Sequence, residues 1–252
     1  MKRSIIKSRW RFSRRTLQAS LIPTGSHKLG KFHLVGKFIP ASVVGGDYFD
    51  FRLLDDGRLI VVMGDVSGHG LPAGTLVAMA KASLITVHRS KNVDFQDTLD
   101  AINEVIRRSS SGKMMFMTFC YLVIEPEKGI IGCSANGHPF PLIAHKDGTV
   151  SEIATIGGYP LGVRDRQDFR IIEADFQTGD TLLMFTDGLP EQVNSEGEPW
   201  GYDKFRDVFG ELAGSKKPEK VVDGLLESGL KYSGDAVQGD DMTVIVIRYD
   251  IE

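Results

Sequence analysis

Nowhere in the 252-residue chain is there an unbroken apolar run of the roughly 18 residues that a membrane-spanning helix needs. The N-terminus carries charge without the apolar core of a signal peptide, so the expected location is the cytoplasm. Cysteine is scarce, with only Cys120 and Cys133. Each sits in an apolar strand-like run with no Cys or His at zinc-ligand spacing, which excludes a disulfide framework and a zinc ribbon and leaves two reduced core thiols. A large excess of one charge is lacking too: the net charge of −3 argues against nucleic acid as a general partner. No Gly-x-Ser-x-Gly elbow, reactive-cysteine signature or phosphate-binding P-loop occurs, so no side-chain nucleophile announces itself. No repeat of about 20–50 residues and no low-complexity tract appears.

The composition, 42% hydrophobic and 25% charged, is that of an ordinary soluble globule with a sizeable core. Charge is placed unevenly: residues 1–20 hold Lys2, Arg3, Lys7, Arg9, Arg11, Arg14 and Arg15 and no acid. There Ile6, Trp10, Ser13, Leu17 and Leu21 recur at four- and three-residue steps, an apolar seam on one side of a helix ending before Pro23. Such a helix packs on its own domain, dimerises as a coiled-coil stub, or lies on a membrane surface. Pro23, Gly25 and Gly30 read as a linker. Residues 1–30 are therefore expected to be a basic regulatory or linker segment, and residues 31–252 the folded domain.

From Phe32 the pattern is that of strands, at Phe32–Ile39, Tyr48–Leu54 and Arg58–Val66. Two helices are expected over Leu71–His88, apolar nearly all round and so read as buried, and over Phe95–Arg108, which is amphipathic. Strands return at Met117–Ile124, Ile130–Ala135, Phe140–Ala144, Val150–Ala154, Phe169–Phe176 and Asp180–Phe185. Helices over Tyr202–Leu212 and Pro218–Tyr232 precede a last strand, Met242–Tyr249. Closely connected strands grouped between helix pairs predict an α+β fold of antiparallel sheets packed together with helices outside.

The chemistry gathers at strand ends. Asp55-Asp56-Gly57 is a tight-turn signal between two strands, which pairs them antiparallel and brings Asp47 and Asp65 to the same end. The loop Gly64-Asp65-Val66-Ser67-Gly68-His69-Gly70 follows, in which Gly68 and Gly70 let the backbone turn sharply and approach an ion or phosphate. Two more acid sites repeat the pattern: Leu182–Phe185 runs into Thr186-Asp187-Gly188, and Gly239-Asp240-Asp241 opens the last strand. A single Asp in a glycine loop is commonly just a solvated turn residue. Four clusters at the ends of apolar strands form an oxygen-rich set suited to hard cations such as Mg²⁺ or Mn²⁺. Two such ions about 3.5–4 Å apart activate a water and clamp a phosphoryl group, with no protein nucleophile needed.

In order, Gly45-Gly46-Asp47-x-x-Asp50, Gly64–Gly70, Ala135-Asn136-Gly137-His138-Pro139, Thr186-Asp187-Gly188 and Asp240-Asp241-Met242-Thr243 resemble the motifs of the metal-dependent protein phosphatases, the PPM superfamily, in its SpoIIE/RsbU-like bacterial branch. The resemblance covers about residues 16–250. It implies a central antiparallel β-sandwich flanked by helix pairs, in α-β-β-α order, and hydrolysis of phosphoserine or phosphothreonine with two Mn²⁺ or Mg²⁺ ions. Carried over by position, the metal carboxylates and catalytic acids are Asp47, Asp65, Asp187 and Asp240, with the backbone carbonyl of Val66 as a further ligand. Asp241 is a neighbour that orients the site. Asp50 stands either near Asp47 or turned away from it on the strand. In the eukaryotic type 2C branch a histidine two residues after the aspartate corresponding to Asp65 is proposed as a general acid; here that place holds Ser67. His69 is thus either a supporting group or a lone loop histidine, and His138 and Asn136 either have a chemical role or tie a turn.

The branch implies a phosphorylated protein substrate, with a STAS-type anti-sigma antagonist as one candidate, and an upstream sensory or receiver module. It also leaves room for a homodimer through the N-terminal helix. A competing reading is a catalytically idle phosphatase fold kept as a binding module, against which all four ligand aspartates are present. Gly45-Gly46-Asp47-Tyr48-Phe49 is superficially similar to the diguanylate cyclase signature, but Tyr48 stands where that signature has an acid.

Overall fold

The computed structural model describes residues 21–89, 94–109, 115–154, 157–215 and 217–250. The expected N-terminal seam from Ile6 to Leu17 lies outside the described residues. Eleven strands in the described part form two antiparallel sheets. The first contains β1 (Gly25–Leu29), β2 (Phe32–Ile39), β7 (Leu142–Ala144), β8 (Val150–Glu152), β10 (Thr181–Phe185) and β11 (Met242–Tyr249), in the order β1-β2-β11-β10-β7-β8. The second contains β3 (Asp47–Leu53), β4 (Leu59–Val66), β5 (Met117–Glu125), β6 (Ile130–Asn136) and β9 (Ile172–Asp175), in the order β3-β4-β5-β6-β9.

Between the sheets lies a core of inward residues, among them Phe49, Val61, Met63, Leu122, Leu182, Met184, Ile245 and Ile247. The outward residues of the same strands are equally buried. Val244 and Val246 pack under α3 (Tyr202–Ala213) and α4 (Pro218–Ser233) with Phe205, Phe209 and Leu225. Ile60, Val62 and Tyr121 pack under α1 (Leu71–Val87) and α2 (Phe95–Ser109) with Val77, Leu99 and Ile102. Four layers result, α-β-β-α. This explains why Leu59–Met63 and Met242–Tyr249 show no polar–apolar alternation: a strand covered on both faces reads as a continuous apolar run.

Three local readings are corrected. Gly25–Leu29, read as linker, is strand β1, paired along its length with β2. Helix α1 is not buried all round: Ala73, Val77 and Ala80 face the sheet, while Leu71 and Ile85 are 63% and 51% exposed, because the helix forms an outer layer. The strands expected at Phe140–Ala144 and Phe169–Phe176 shorten to β7 and β9. Pro139 and Pro141 flank Phe140 and carry no N–H for the ladder, and Phe169 leaves the sheet to pack in the α1–α2 layer.

Candidate metal centre

The β3–β4 hairpin places Asp47 directly opposite Asp65 across the pair. Side chains alternate along a strand, so Asp47 shares the inner face with Phe49, and Asp65 shares it with Met63 and Val61. On the other sheet Thr186 continues the inward row Leu182, Met184, and Thr243 that of Ile245, Ile247. Both hydroxyls donate to Asp47 Oδ2, Thr186 Oγ1 at 2.9 Å and Thr243 Oγ1 in a short contact. One carboxylate oxygen thereby ties the two sheets together, and the other is not spent on these bonds. The Thr186 N–H bonds to the Thr243 carbonyl at 3.0 Å, which holds the start of β11 against the end of β10 and so brings Asp187 beside Asp240 and Asp241.

Asp241 performs a backbone task. Its two carboxylate oxygens accept the N–H groups of Ala41 and Gly46, each at 2.8 Å. Gly46 in turn has no room for a side chain. A Cβ there would lie 2.5 Å from the Val66 carbonyl oxygen, 2.7 Å from Asp65 Oδ1 and 3.2 Å from the Gly68 carbonyl oxygen. Backbone and carboxylate oxygens thus crowd together where the loop passes β4. Gly68 and Gly70, at φ +88° and +84°, carry the chain from there into α1.

Asp65, Asp240 and Asp241, with Val66, Gly68 and His69, line a cleft of about 310 Å³; Asp47 and Asp187 are not among its lining residues, and no lysine or arginine is among the described residues that line it. Burial, then the neighbouring charges of Asp187, Asp240 and Asp241, push the Asp65 carboxyl up to about 8. Asp47 is held well above the usual carboxylate range by burial and by Asp65, with the two threonine hydroxyls pulling the other way. Burial, Glu191 and Asp240 raise Asp187, and burial raises Asp241 against the pull of its backbone donors. Among the described residues no three His, Cys, Asp or Glu side chains already close around one point as ligands of a single ion. The donor set nevertheless fits hard divalent cations: it is all oxygen, strongly anionic, and ions of this kind keep several waters while binding through one or two carboxylates each.

The remaining candidates separate. Asp50 is on the outer face of β3, accepting the Tyr48 hydroxyl at 3.1 Å and paired with Lys81 of α1 at 2.6 Å. It lines a different pocket, about 290 Å³, between α1 and the sheet, with Leu84, His88 and Arg89. Ser67 is spent on the loop: its Oγ accepts the Phe116 N–H at 3.0 Å and its own N–H bonds to the Phe116 carbonyl. His69 is an exposed wall of the cleft. Asn136, at the end of β6, donates to Ser134 Oγ at 3.2 Å and is bridged to Gly158. The sequence reading gave no role to Thr186 or Thr243, although both sit inside the quoted motifs, nor to Thr118, whose Oγ1 accepts the Asp65 N–H at 3.2 Å. A hydroxyl one residue before or two or three after a strand-end acid was the signal available.

A two-sheet sandwich with helix pairs outside and an acid-walled cleft at one end is the fold of PP2C-type phosphatase domains. The SiaA PP2C domain of Pseudomonas aeruginosa superposes over 99% of both chains with a TM-score of 0.84 at 22% identity. The RsbU and RsbW domains of Rv1364c from Mycobacterium tuberculosis match 88% of this chain and 61% of that one, with a TM-score of 0.76 at 25% identity. Residues 55–250 match the family Stage II sporulation protein E (SpoIIE), and the chain belongs to it. Among relatives, the phosphoserine phosphatase RsbU of Bacillus subtilis is 25% identical over 83% of this chain and 61% of its own length. Protein IcfG of Synechocystis sp. is 22% identical over 92% of this chain and 40% of its own length. The chain thus spans less than two thirds of either relative.

Proposed function

We propose that this chain is a metal-dependent serine/threonine phosphoprotein phosphatase, in which Asp47, Asp65, Asp187 and Asp240, with the Val66 carbonyl, hold two Mn²⁺ or Mg²⁺ ions. The observation that carries the reading is the convergence of strand-end acids from both sheets, Asp65 on one and Asp240 and Asp241 on the other, on one cleft, with Asp65 pushed up to about 8 and no lysine or arginine among the described residues lining it. Crowded carboxylates of that kind call for a cation. Such an ion pair supplies, when bound, a water of lowered pKa and neutralisation of the phosphoryl oxygens.

The chain's own residues prepare the site. Thr186 and Thr243 fix the Asp47 carboxylate from the opposite sheet. Asp241 pins the backbone of Ala41 and Gly46, and Ser67 ties the glycine loop to Phe116. The exposed positions Gly68, His69 and Gly239 at the rim leave the cleft open to a phosphorylated side chain presented on a protein surface. The phosphoserine activity in the name of the RsbU relative supports that substrate class. A STAS-type anti-sigma antagonist is the proposed substrate, in the cytoplasm, where the described part has no helix long and apolar enough to cross a membrane. Residues 1–20 are proposed to receive a signal from a sensory or receiver module, by docking on the domain or by dimerising.

Hydrolysis of p-nitrophenyl phosphate and of a phosphoserine peptide tests the reading. Turnover is expected with Mn²⁺ or Mg²⁺ and none in excess EDTA; full activity in EDTA removes the mechanism, and inactivity on every phosphoester with both metals leaves the binding-module alternative.

A further inference from the structure

The cavity that Asp50 lines, about 290 Å³, lies between the outer face of the β3–β4 hairpin and the last turns of α1. Two rungs of the hairpin make its floor, with Asp50 opposite Val62 and Arg52 opposite Ile60. Leu84, Ile85 and His88 close it from the helix side, and Ile85 stays half exposed. Because β3 is an edge strand, no further strand of the sheet covers that side.

Its charges do not cancel. Lys81 and Asp50 neutralise each other at 2.6 Å. Arg52 and Arg89 are left over, and among the described residues neither guanidinium is paired with a carboxylate. Arg52 is held at the wall by a short bond from Nη1 to the His88 carbonyl, and Arg89 is the next residue along the chain. The carbonyl end of α1 offers at most about half a negative charge, less than the two cations carry. The His88 ring, 2.9 Å from the Tyr121 hydroxyl through Nε2, adds no charge near neutrality, since burial lowers it to about 4. Solvated surface arginines lay their stems on apolar residues and hold their heads in bulk water; here one head is tied beside the apolar side chains Ile60, Val62 and Leu84. A neutral apolar ligand would leave both cations unmatched, and a bare inorganic anion would leave the apolar walls wet. Residues 1–20, cationic without a single acid, carry the wrong sign to fill the cavity.

We propose that this cavity binds a small amphipathic anion: an apolar body, a ring or a short alkyl chain, between Ile60 and Leu84, with a carboxylate or similar oxyanion head on Arg52 and Arg89. Pockets for small ligands combine mostly apolar walls with a few convergent polar groups, as here. The volume corresponds to about ten waters at roughly 30 Å³ each, so such a body displaces several of them from apolar surface. The guanidinium fork matches an oxyanion, and charge-assisted hydrogen bonds are the stronger kind. The site lies on the opposite face of the hairpin from the inward Asp47 and does not depend on the phosphatase reading.

The test titrates octanoate into the full chain in EDTA, where no metal can take the carboxylate, and reads backbone amide shifts by NMR. Saturable shifts are expected at Arg52, Ile60, Lys81 and Ile85, with a Kd of about 1 mM or tighter. Along the series butanoate, hexanoate, octanoate, affinity should rise by up to about fourfold per methylene, as an apolar body leaves water. Octanol, the same body without the charge, should bind about tenfold more weakly, the loss expected when hydrogen bonds to a charged group are removed. Arg89→Glu, at an exposed position where the fold is safe, should weaken octanoate by about the same factor and leave octanol unchanged. No saturable shift at those amides, octanol binding as tightly as octanoate, or octanoate affinity untouched by Arg89→Glu each overturns the proposal. None of these outcomes bears on the phosphatase reading, since neither metal binding nor turnover is measured.

Discussion

Asp47 and Asp50 are three residues apart on β3, yet one joins an all-acid cluster between the sheets while the other is neutralised by Lys81 beneath α1. The strand's alternation sends them to opposite faces, and each face supplies a different set of neighbours. Around Asp50 every group has a partner: Lys81, the Tyr48 hydroxyl and the Phe51 N–H all bond to it. Around Asp47 and Asp65 the neighbours are further carboxylates, and among the described residues the hydroxyls of Thr186 and Thr243 relieve Asp47. The same side-chain chemistry therefore serves stability on one face and stores repulsion on the other. A fold that keeps such repulsion at a cleft is prepared for a cation; one that satisfies it is finished.

The largest contrast should appear in activity. Asp65→Ala and Asp187→Ala are expected to lower kcat/KM by about a thousandfold or more, several kcal/mol of transition-state stabilisation, in proteins that still fold. Steady-state kinetics at limiting Mn²⁺ reads this, and near-parental turnover in a folded Asp187→Ala protein would contradict the assignment.

Asp50→Asn should do the reverse. It leaves Lys81 in a half-buried site without its anion and is expected to cost about 2 kcal/mol in denaturant unfolding, with kcat/KM within about threefold of the parent. A loss of activity as large as that of Asp187→Ala would erase the distinction between the two faces.

The smallest effect is in the metal-free protein, and its sign is the informative part. A carboxyl raised in the folded state binds its proton more tightly there than in the unfolded chain, so its contribution to stability is fully present below the unfolded pKa near 4. It is lost as pH rises through about 8, the value for Asp65. Melting in EDTA should therefore fall by a few degrees between pH 5 and 9, and Asp65→Asn should flatten that slope and melt higher than the parent at pH 9. A parent that gains stability over this range in EDTA would mean that the acids are not crowded in solution.

Much of this was legible beforehand because it depends on local chemistry. The Asp55–Gly57 turn sets the β3–β4 register, and the register alone places Asp47 opposite Asp65. Strand-end acids at the ends of apolar runs signalled through residue type that carboxylates would gather at one end of the sheets. The opposed fate of Asp50 was left open because spacing on a strand allows it to face either way relative to Asp47, and says nothing of the Lys81 that meets it from a helix 31 residues on.

What the chain determined by itself was most of its elements, the antiparallel pairing of neighbours and the oxygen character of the site, since hydrophobic period, turn residues and ligand type are properties of short stretches. Only the tertiary structure decided which sheet each strand joined and that β1 belongs to one of them. It alone set Thr186 and Thr243 on Asp47 across separations of 139 and 196 residues, and brought His138 to Thr118 beside the Asp65 strand end. Those contacts depend on two sheets stacking with one stagger and not another. That stagger is set by the packing of side chains such as Phe49, Met184 and Ile245 in the shared core, which no single segment carries.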